Sequence, residues 1–246
     1  MDGSNESAEH ETLMRLLKLF ERNNPNCYGN VDITDGIITR VFFGLPHAKA
    51  VVEMGGPIAV EARFGSQTKG GVFIATVPTP KNEPLPIAIA FAQQETDENW
   101  QWVWSNLAQC VPHVTKVRRI AKPAVYPILS KQFSEGVNGV CLVYLSQDML
   151  AQKVITAQDL PQFKWAVASE DTTKLQEEVA KLPSSAQQYL AQYPPSAYGG
   201  HGSLWNNVSG SSKYLTRILG DADYVPWVIV TNNMLEDLQR HAPTLV

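Results

Sequence analysis

Between residues 57 and 92 the apolar positions fall in three blocks, PIAVEA (57–62), GGVFIATV (70–77) and PIAIAFA (86–92), separated by turn-forming residues. Short apolar runs bounded by Gly, Pro and Asn predict consecutive strands joined as hairpins. From residue 96 the spacing changes. Trp100, Val103, Trp104, Leu107 and Val111 recur at helical intervals, Thr96 is placed to cap, and Asp97 and Glu98 suit the positive end of a helix dipole. These residues predict a helix that buries its tryptophan face on the sheet.

Upstream, Leu13, Leu16, Leu17 and Phe20 form the apolar face of a short helix that stops before Asn23-Asn24-Pro25, and residues 1–10 are too polar to predict stable structure. NVDIT and IITRVFFG flank Asp35-Gly36, the sequence of a tight β-hairpin, and HAKAVVEM reads as a brief helix. Downstream, AVYPILS (124–130) reads as a fourth strand, buried and parallel to the first of the three across the helical crossover. Residues 159–197 are helical in pattern, with Leu175, Val179 and Leu182, then Tyr189, Leu190 and Tyr193, as apolar positions. Pro194-Pro195 through Gly199-Gly200 reads as a loop.

A chain of 246 residues with 44% hydrophobic and 18% charged content can bury a sizeable core, and we read one large domain. Net charge is −4 and the pI is near 5.7, which argues against nonspecific coating of nucleic acid. The one dense basic cluster is Lys116, Arg118, Arg119 and Lys122. It reads as a solvated loop after the helix, with a DNA contact as the alternative. Three cysteines without a CxxC pair predict neither a disulfide framework nor a zinc ribbon. The acidic, polar N-terminus and the absence of a long apolar run predict no secretory signal and no membrane partner.

The stretch PIAVEARFGSQTKGGVFIATV followed by PLPIAIAFAQQETDENWQWVWSNL resembles the catalytic domain of Mutator-like element (MULE) transposases. The resemblance implies an α/β fold with an RNase H-like mixed sheet: three antiparallel strands, then parallel strands, with flanking helices. It also implies a division into an N-terminal tail and short helix (1–25) and an RNase H-like domain (26–246) with a helical insertion at about 148–225. In the family an aspartate ends the first strand, and Glu61 stands there. A second aspartate ends the fourth strand, where ILSKQFSEGVNGV offers Lys131. CLVYLSQDM resembles the family's Cys-x-x-His segment, with Cys141 kept and Tyr144 at the histidine. In VPWVIVTNNMLEDLQRH, Thr231 and Asn233 match a turn that starts the last helix, and Glu236 matches the catalytic glutamate. Without the resemblance, Glu236 is an acid near a helix N-terminus and Cys141 a small buried hydrophobe.

An active member would hold Mg²⁺ or Mn²⁺ on its carboxylates, here Glu61 and Glu236, to activate a nucleophile and stabilise the leaving oxygen. With lysine in place of one aspartate, the expectation is an inactive core with no bound cofactor, in which Lys131 supplies the positive charge between the two acids. No Cys/His-rich finger of the SWIM or WRKY type accompanies the pattern. Three functions follow. The first is a domesticated or decayed transposase core acting as a nucleic-acid-associated or protein-binding scaffold, nuclear by resemblance. The second is an active metal-dependent nuclease using Asp148 or Glu135 as substitute acids. The third is an interaction module with protein partners and no DNA.

Overall fold

A computed structural model describes residues 11–15, 18–19, 21–24, 27–64, 70–79, 81, 83–115, 117–135, 137–169, 171–199, 214–219, 227, 230–231, 233–234 and 236. Residues 1–10, Leu16, Leu17 and Phe20 lie outside them. Asp35 and Gly36 both have positive φ, 53° and 77°, as a two-residue hairpin turn requires. They join β1 (Tyr28–Thr34) to β2 (Ile37–Gly44) in antiparallel register. A short helix, α1 (Ala48–Glu53), leads to β3 (Ile58–Phe64), β4 (Gly71–Pro78) and β5 (Pro84–Ala92), each antiparallel to the next.

Helix α2 (Asp97–Cys110) begins as its sequence predicts: the Thr96 hydroxyl accepts from the Asn99 N–H at 3.2 Å. Trp100, Val103, Trp104 and Leu107 are buried, and the Trp100 ring meets Phe73 of β4 edge-on at 4.9 Å. After a 3₁₀ turn at Pro112–Thr115 the chain returns as β6 (Arg119–Ala121), parallel to β3 through Ile58↔Arg119 and Ala59↔Ile120. A third parallel strand, β7 (Asn138–Val140), lies beside β6. The sheet order is β1-β2-β5-β4-β3-β6-β7. This is an α/β fold with a mixed, RNase H-like sheet, in which the first core strand (β3) and the fourth (β6) are neighbours.

The fourth strand is not where the pattern puts it. AVYPILS contributes instead to α3 (Tyr126–Gln132), whose Pro127 sits in the first turn, where a missing N–H does no harm. Its Tyr126, Ile128 and Leu129 are buried, as is Phe133, which caps its C-terminus. A short apolar run fits a buried helix as well as a buried strand, and the proline decides it. Beyond β7 come α4 (Leu142–Ala151), α5 (Leu160–Val167), α6 (Thr172–Val179), α7 (Ser184–Leu190) and α8 (Pro195–Tyr198). The last replaces an expected loop and again starts on a proline.

Among the described residues three large apolar clusters result, with a small fourth of Ala59, Ile120 and Cys141. One lies between the sheet and α1, α2 and α3. The second, on the opposite face, packs Val41, Phe43, Ile74 and Phe91 against Leu13, Tyr214, Ile218, Trp227, Val230 and Met234. The third joins α4 to α8 beyond the β7 edge. Among the described residues no helix is long and apolar enough to cross a membrane. Trp104 is fully buried at the centre of the first cluster. Trp104→Ala should therefore cost about 3–5 kcal/mol in urea unfolding, whereas Trp102→Ala, at a partly exposed position over Arg40, should cost much less.

Candidate functional site

Alternation along β3 sends Ile58, Val60 and Ala62 into the α2 cluster and turns Ala59 and Glu61 to the opposite face. There Glu61 pairs with Ile74, and Ile74 with Ile89, so the carboxylate stands in an apolar row. It is 2% exposed. A charge in that position requires a counter-ion close by. The parallel register supplies one: Ala59 lies beside Ile120, so two residues further on Glu61 lies beside Lys122, the residue that follows β6.

The Lys122 ammonium forms an ion pair with Glu61 Oε1. The same oxygen accepts the Ala62 N–H at 3.0 Å, and Lys122 Nζ is 3.5 Å from the Ala62 carbonyl. Cys141 precedes α4 and donates its N–H to the Ala121 carbonyl at 2.8 Å, which ties the start of α4 to the end of β6. One turn into the helix, Tyr144 places its ring 4.9 Å from Lys122 Nζ, within cation–π range. Burial pushes the Glu61 pKa up, while Lys122, the Tyr144 hydroxyl and the Ala62 N–H pull it down without cancelling the rise. Burial also raises the Cys141 thiol to about 11. The cluster is thus a carboxylate, an ammonium, a phenol and a neutral thiol at the junction of β3, β6 and α4.

Lys131 is not part of it. That residue is exposed in the last turn of α3, and the lysine at the end of the fourth strand is Lys122. The expected salt bridge to Glu61 exists with the other lysine as donor. Thr231 and Asn233 do not form a turn ahead of the last helix, because Trp227 and Val230 are already helical. Thr231 is buried and its hydroxyl donates to the Trp227 carbonyl at 2.9 Å, while Asn233 Nδ2 donates to the Ile218 carbonyl at 2.9 Å. Trp227, Val230 and Met234 face the sheet. Glu236 is exposed and is not among the residues packed on the sheet.

The proposed substitute acids stand elsewhere. Asp148 accepts a hydrogen bond from the Tyr189 hydroxyl, and Glu135 precedes β7, at the opposite end of the parallel strands from Lys122. Of the basic cluster, Lys116 lies outside the described residues, and Arg118, Arg119 and Lys122 are engaged by partners within the protein. Arg119 is fully buried and donates to Asn138 Oδ1 at 2.8 Å and to the Val114 and Glu135 carbonyls at 2.6 and 2.7 Å, with its guanidinium 4.7 Å from the Phe133 ring. Arg118 donates to the Ser196 carbonyl at 2.9 Å, and burial pulls its pKa down to about 10. A run of like charges hides such roles, since nothing in the sequence distinguishes a buried arginine from a solvated one.

Mg²⁺ demands near-octahedral oxygen ligands, commonly one or two carboxylates and water. Among the described residues Glu61 is the carboxylate beside the end of β6, an ammonium already holds its Oε1, and a second cation there would be repelled. Among the described residues no three His, Cys, Asp or Glu side chains are grouped to hold a metal. The residues present do not fit the metal that the resemblance implies.

Lys122→Met should leave the Glu61 carboxylate buried without its cation, raising its folded-state pKa further. A carboxyl whose folded pKa lies above the ordinary 4.5 loses stabilising effect as pH rises through that value. The loss should therefore be largest at neutral pH, about 3 kcal/mol because the Lys122 side chain keeps 23% exposure, and should shrink toward pH 4.5. Adding Glu61→Gln should recover most of it. Urea unfolding of the three proteins across this pH range checks both points. No protein-family model matches the chain, and no curated protein matches it.

Proposed function

We propose that the chain is a domesticated or decayed MULE transposase core that is catalytically inactive and works as a binding scaffold. The observation that carries the reading is the ion pair at the strand ends: the residue after β6, beside Glu61, is a lysine. A two-metal phosphoryl-transfer site needs several carboxylates converging on the ions. One buried glutamate neutralised by an ammonium cannot bind and orient them, and glutamate in place of aspartate shifts the carboxylate by about one methylene, a displacement costly in catalysis. The long motif over residues 57–107 supports descent from the family, and a lysine after β6 together with Tyr144 at the family's histidine supports decay.

Between protein and nucleic acid as the scaffold's partner, the fate of the basic cluster favours protein. Affinity for DNA comes mainly from lysines and arginines free to reach phosphates. Arg118, Arg119 and Lys122 are spent on internal partners, and the net charge is −4. Purified protein is expected neither to cut nor to join DNA in millimolar Mg²⁺ or Mn²⁺. Its affinity for random duplex at physiological salt should be no tighter than the weak end of nonspecific binding, about 10⁻⁴ M by fluorescence anisotropy. Divalent-dependent cleavage that disappears in Glu61→Gln would instead make it a nuclease.

A further inference from the structure

The outermost strand, β1, begins at Tyr28, which pairs with Gly44 of β2. The Tyr28 hydroxyl lies 3.0 Å from Asn106 Oδ1 and 2.8 Å from Gln109 Oε1, and Asn30 Nδ2 donates to Asn106 Oδ1 at 2.6 Å, so the start of β1 is clasped to the last turns of α2. Each side of the clasp carries a cysteine: Cys27 precedes Tyr28 and Cys110 follows Gln109. Gly44 shows how closely the pieces meet. A β-carbon built on it would stand 2.2 Å from Cys110 Sγ and 3.4 Å from the Tyr28 β-carbon, so the Cys110 sulfur fills the place of a β2 side chain beside the residue next to Cys27. Burial pushes the Cys110 thiol up to about 12, and Cys27, within electrostatic reach, adds to the rise. Both thiols are free and half-buried, whereas Cys141 is fully buried. Cys27 lies ahead of the first β1–β2 register pair and can move toward α2 without breaking a ladder hydrogen bond. Cys110 is the final residue of α2 and lines an open cleft with Leu45, Lys49 and Glu53, which gives a small molecule access to it.

We propose that Cys27 and Cys110 form a reversible disulfide, a redox switch that fastens the edge strand β1 to the end of α2. The oxidant is a small disulfide of the glutathione class. Cys27 gives up its proton and its sulfur attacks one sulfur of that disulfide; the S–S bond breaks, and the departing thiolate takes up a proton. Cys110 then loses its proton and attacks the Cys27 sulfur of the mixed disulfide, which releases the second small thiol. Two electrons and two protons pass from the protein to the small disulfide, and one S–S bond replaces another. Closure brings the two α-carbons to about 4.4–6.8 Å, as disulfide geometry requires. The bond ties the chain from β1 through α2 into a covalent loop, which restricts the unfolded chain and stabilises the folded one. Because burial holds the thiols protonated, the switch is slow at neutral pH.

The test holds native wild-type protein in millimolar oxidised glutathione, quenches it in acid, alkylates the remaining thiols under denaturing conditions and maps the peptides by mass spectrometry. The expected product is a Cys27–Cys110 linked peptide with Cys141 alkylated. The oxidised protein should melt about 5–10 °C above the reduced one, and dithiothreitol should reverse the gain. The rate of linkage should rise about tenfold per pH unit near neutrality, following the thiolate fraction. Cys27→Ser and Cys110→Ser should each abolish the linked peptide and the gain in melting temperature. Protein oxidised in urea should instead distribute its bonds over all three cysteine pairs, which shows that the folded chain selects this one. A mixed disulfide that persists on either cysteine, a bond involving Cys141, three free thiols at equilibrium, or a linked form no more stable than the reduced one overturns the proposal. Cys27, Cys110 and this assay involve neither DNA nor Glu61, so the nuclease assay above reads the inactive-core proposal separately.

Discussion

A carboxylate set in the middle of a sheet, in a row whose next strands offer only Ile74 and Ile89, constrains what surrounds it. Glu61 occupies that place in β3, and the cation paired with it comes from the end of the neighbouring strand β6. On one side β4 offers only Ile74. The other side must therefore bring a parallel strand that ends in a positive charge, which requires a crossover long enough to reverse the chain. Helix α2 is that crossover, and its tryptophan face lies against the far side of the same strands. The apolar pattern of α2 and the charge on Lys122 are thus two requirements of one arrangement.

The strand that delivers Lys122 has only three residues, too few to hold its place by backbone pairing alone. Arg119 makes up the difference. Its guanidinium joins the 3₁₀ turn through Val114, the approach to β7 through Glu135, and β7 itself through Asn138. Burial lowers its pKa without discharging it, since a guanidinium titrates so far above neutrality. Three charge-assisted hydrogen bonds and the Phe133 ring surround a charge that would otherwise be costly to bury. Arg118, Arg119 and Lys122 beside this strand thus each have a partner inside the protein.

What the sequence made legible was what had length and period. The three strands of residues 57–92, the Asp35-Gly36 hairpin and α2 each carry a pattern over many residues, and each stands where the pattern predicts. β6 and β7 have three residues apiece and carry no period, so AVYPILS, with more apolar residues, drew the strand assignment although Pro127 fits a helix start better. That displacement moved the site lysine from Lys122 to Lys131. The expected pairing of Lys131 with Glu61 and Glu236 is not made, since Lys131 is exposed on α3, and the lysine beside Glu61 is Lys122. Glu236 illustrates the opposite case: its helix is present, but which way a residue faces depends on packing that a motif does not encode.

Stability alone does not require an ion pair at this junction, since well-packed apolar residues of similar volume often serve as well or better than a buried salt bridge. The pair contributes direction. β6 meets β3 through two residue pairs, Ile58↔Arg119 and Ala59↔Ile120. An apolar contact between such short partners would tolerate a slip of one residue. A slip here reverses every side chain of β6: Ile120 would move to the α2 face, Arg119 would leave its three acceptors, and Lys122 would turn from Glu61 into the apolar cluster around Trp104. Each displaced charge would be buried without a partner, at a cost of several kcal/mol. Arg119 on one face and Lys122 on the other thereby fix the register from both sides, and the two charges that bracket Ile120 and Ala121, three residues apart and so on opposite faces, are what specify the fourth strand of this sheet.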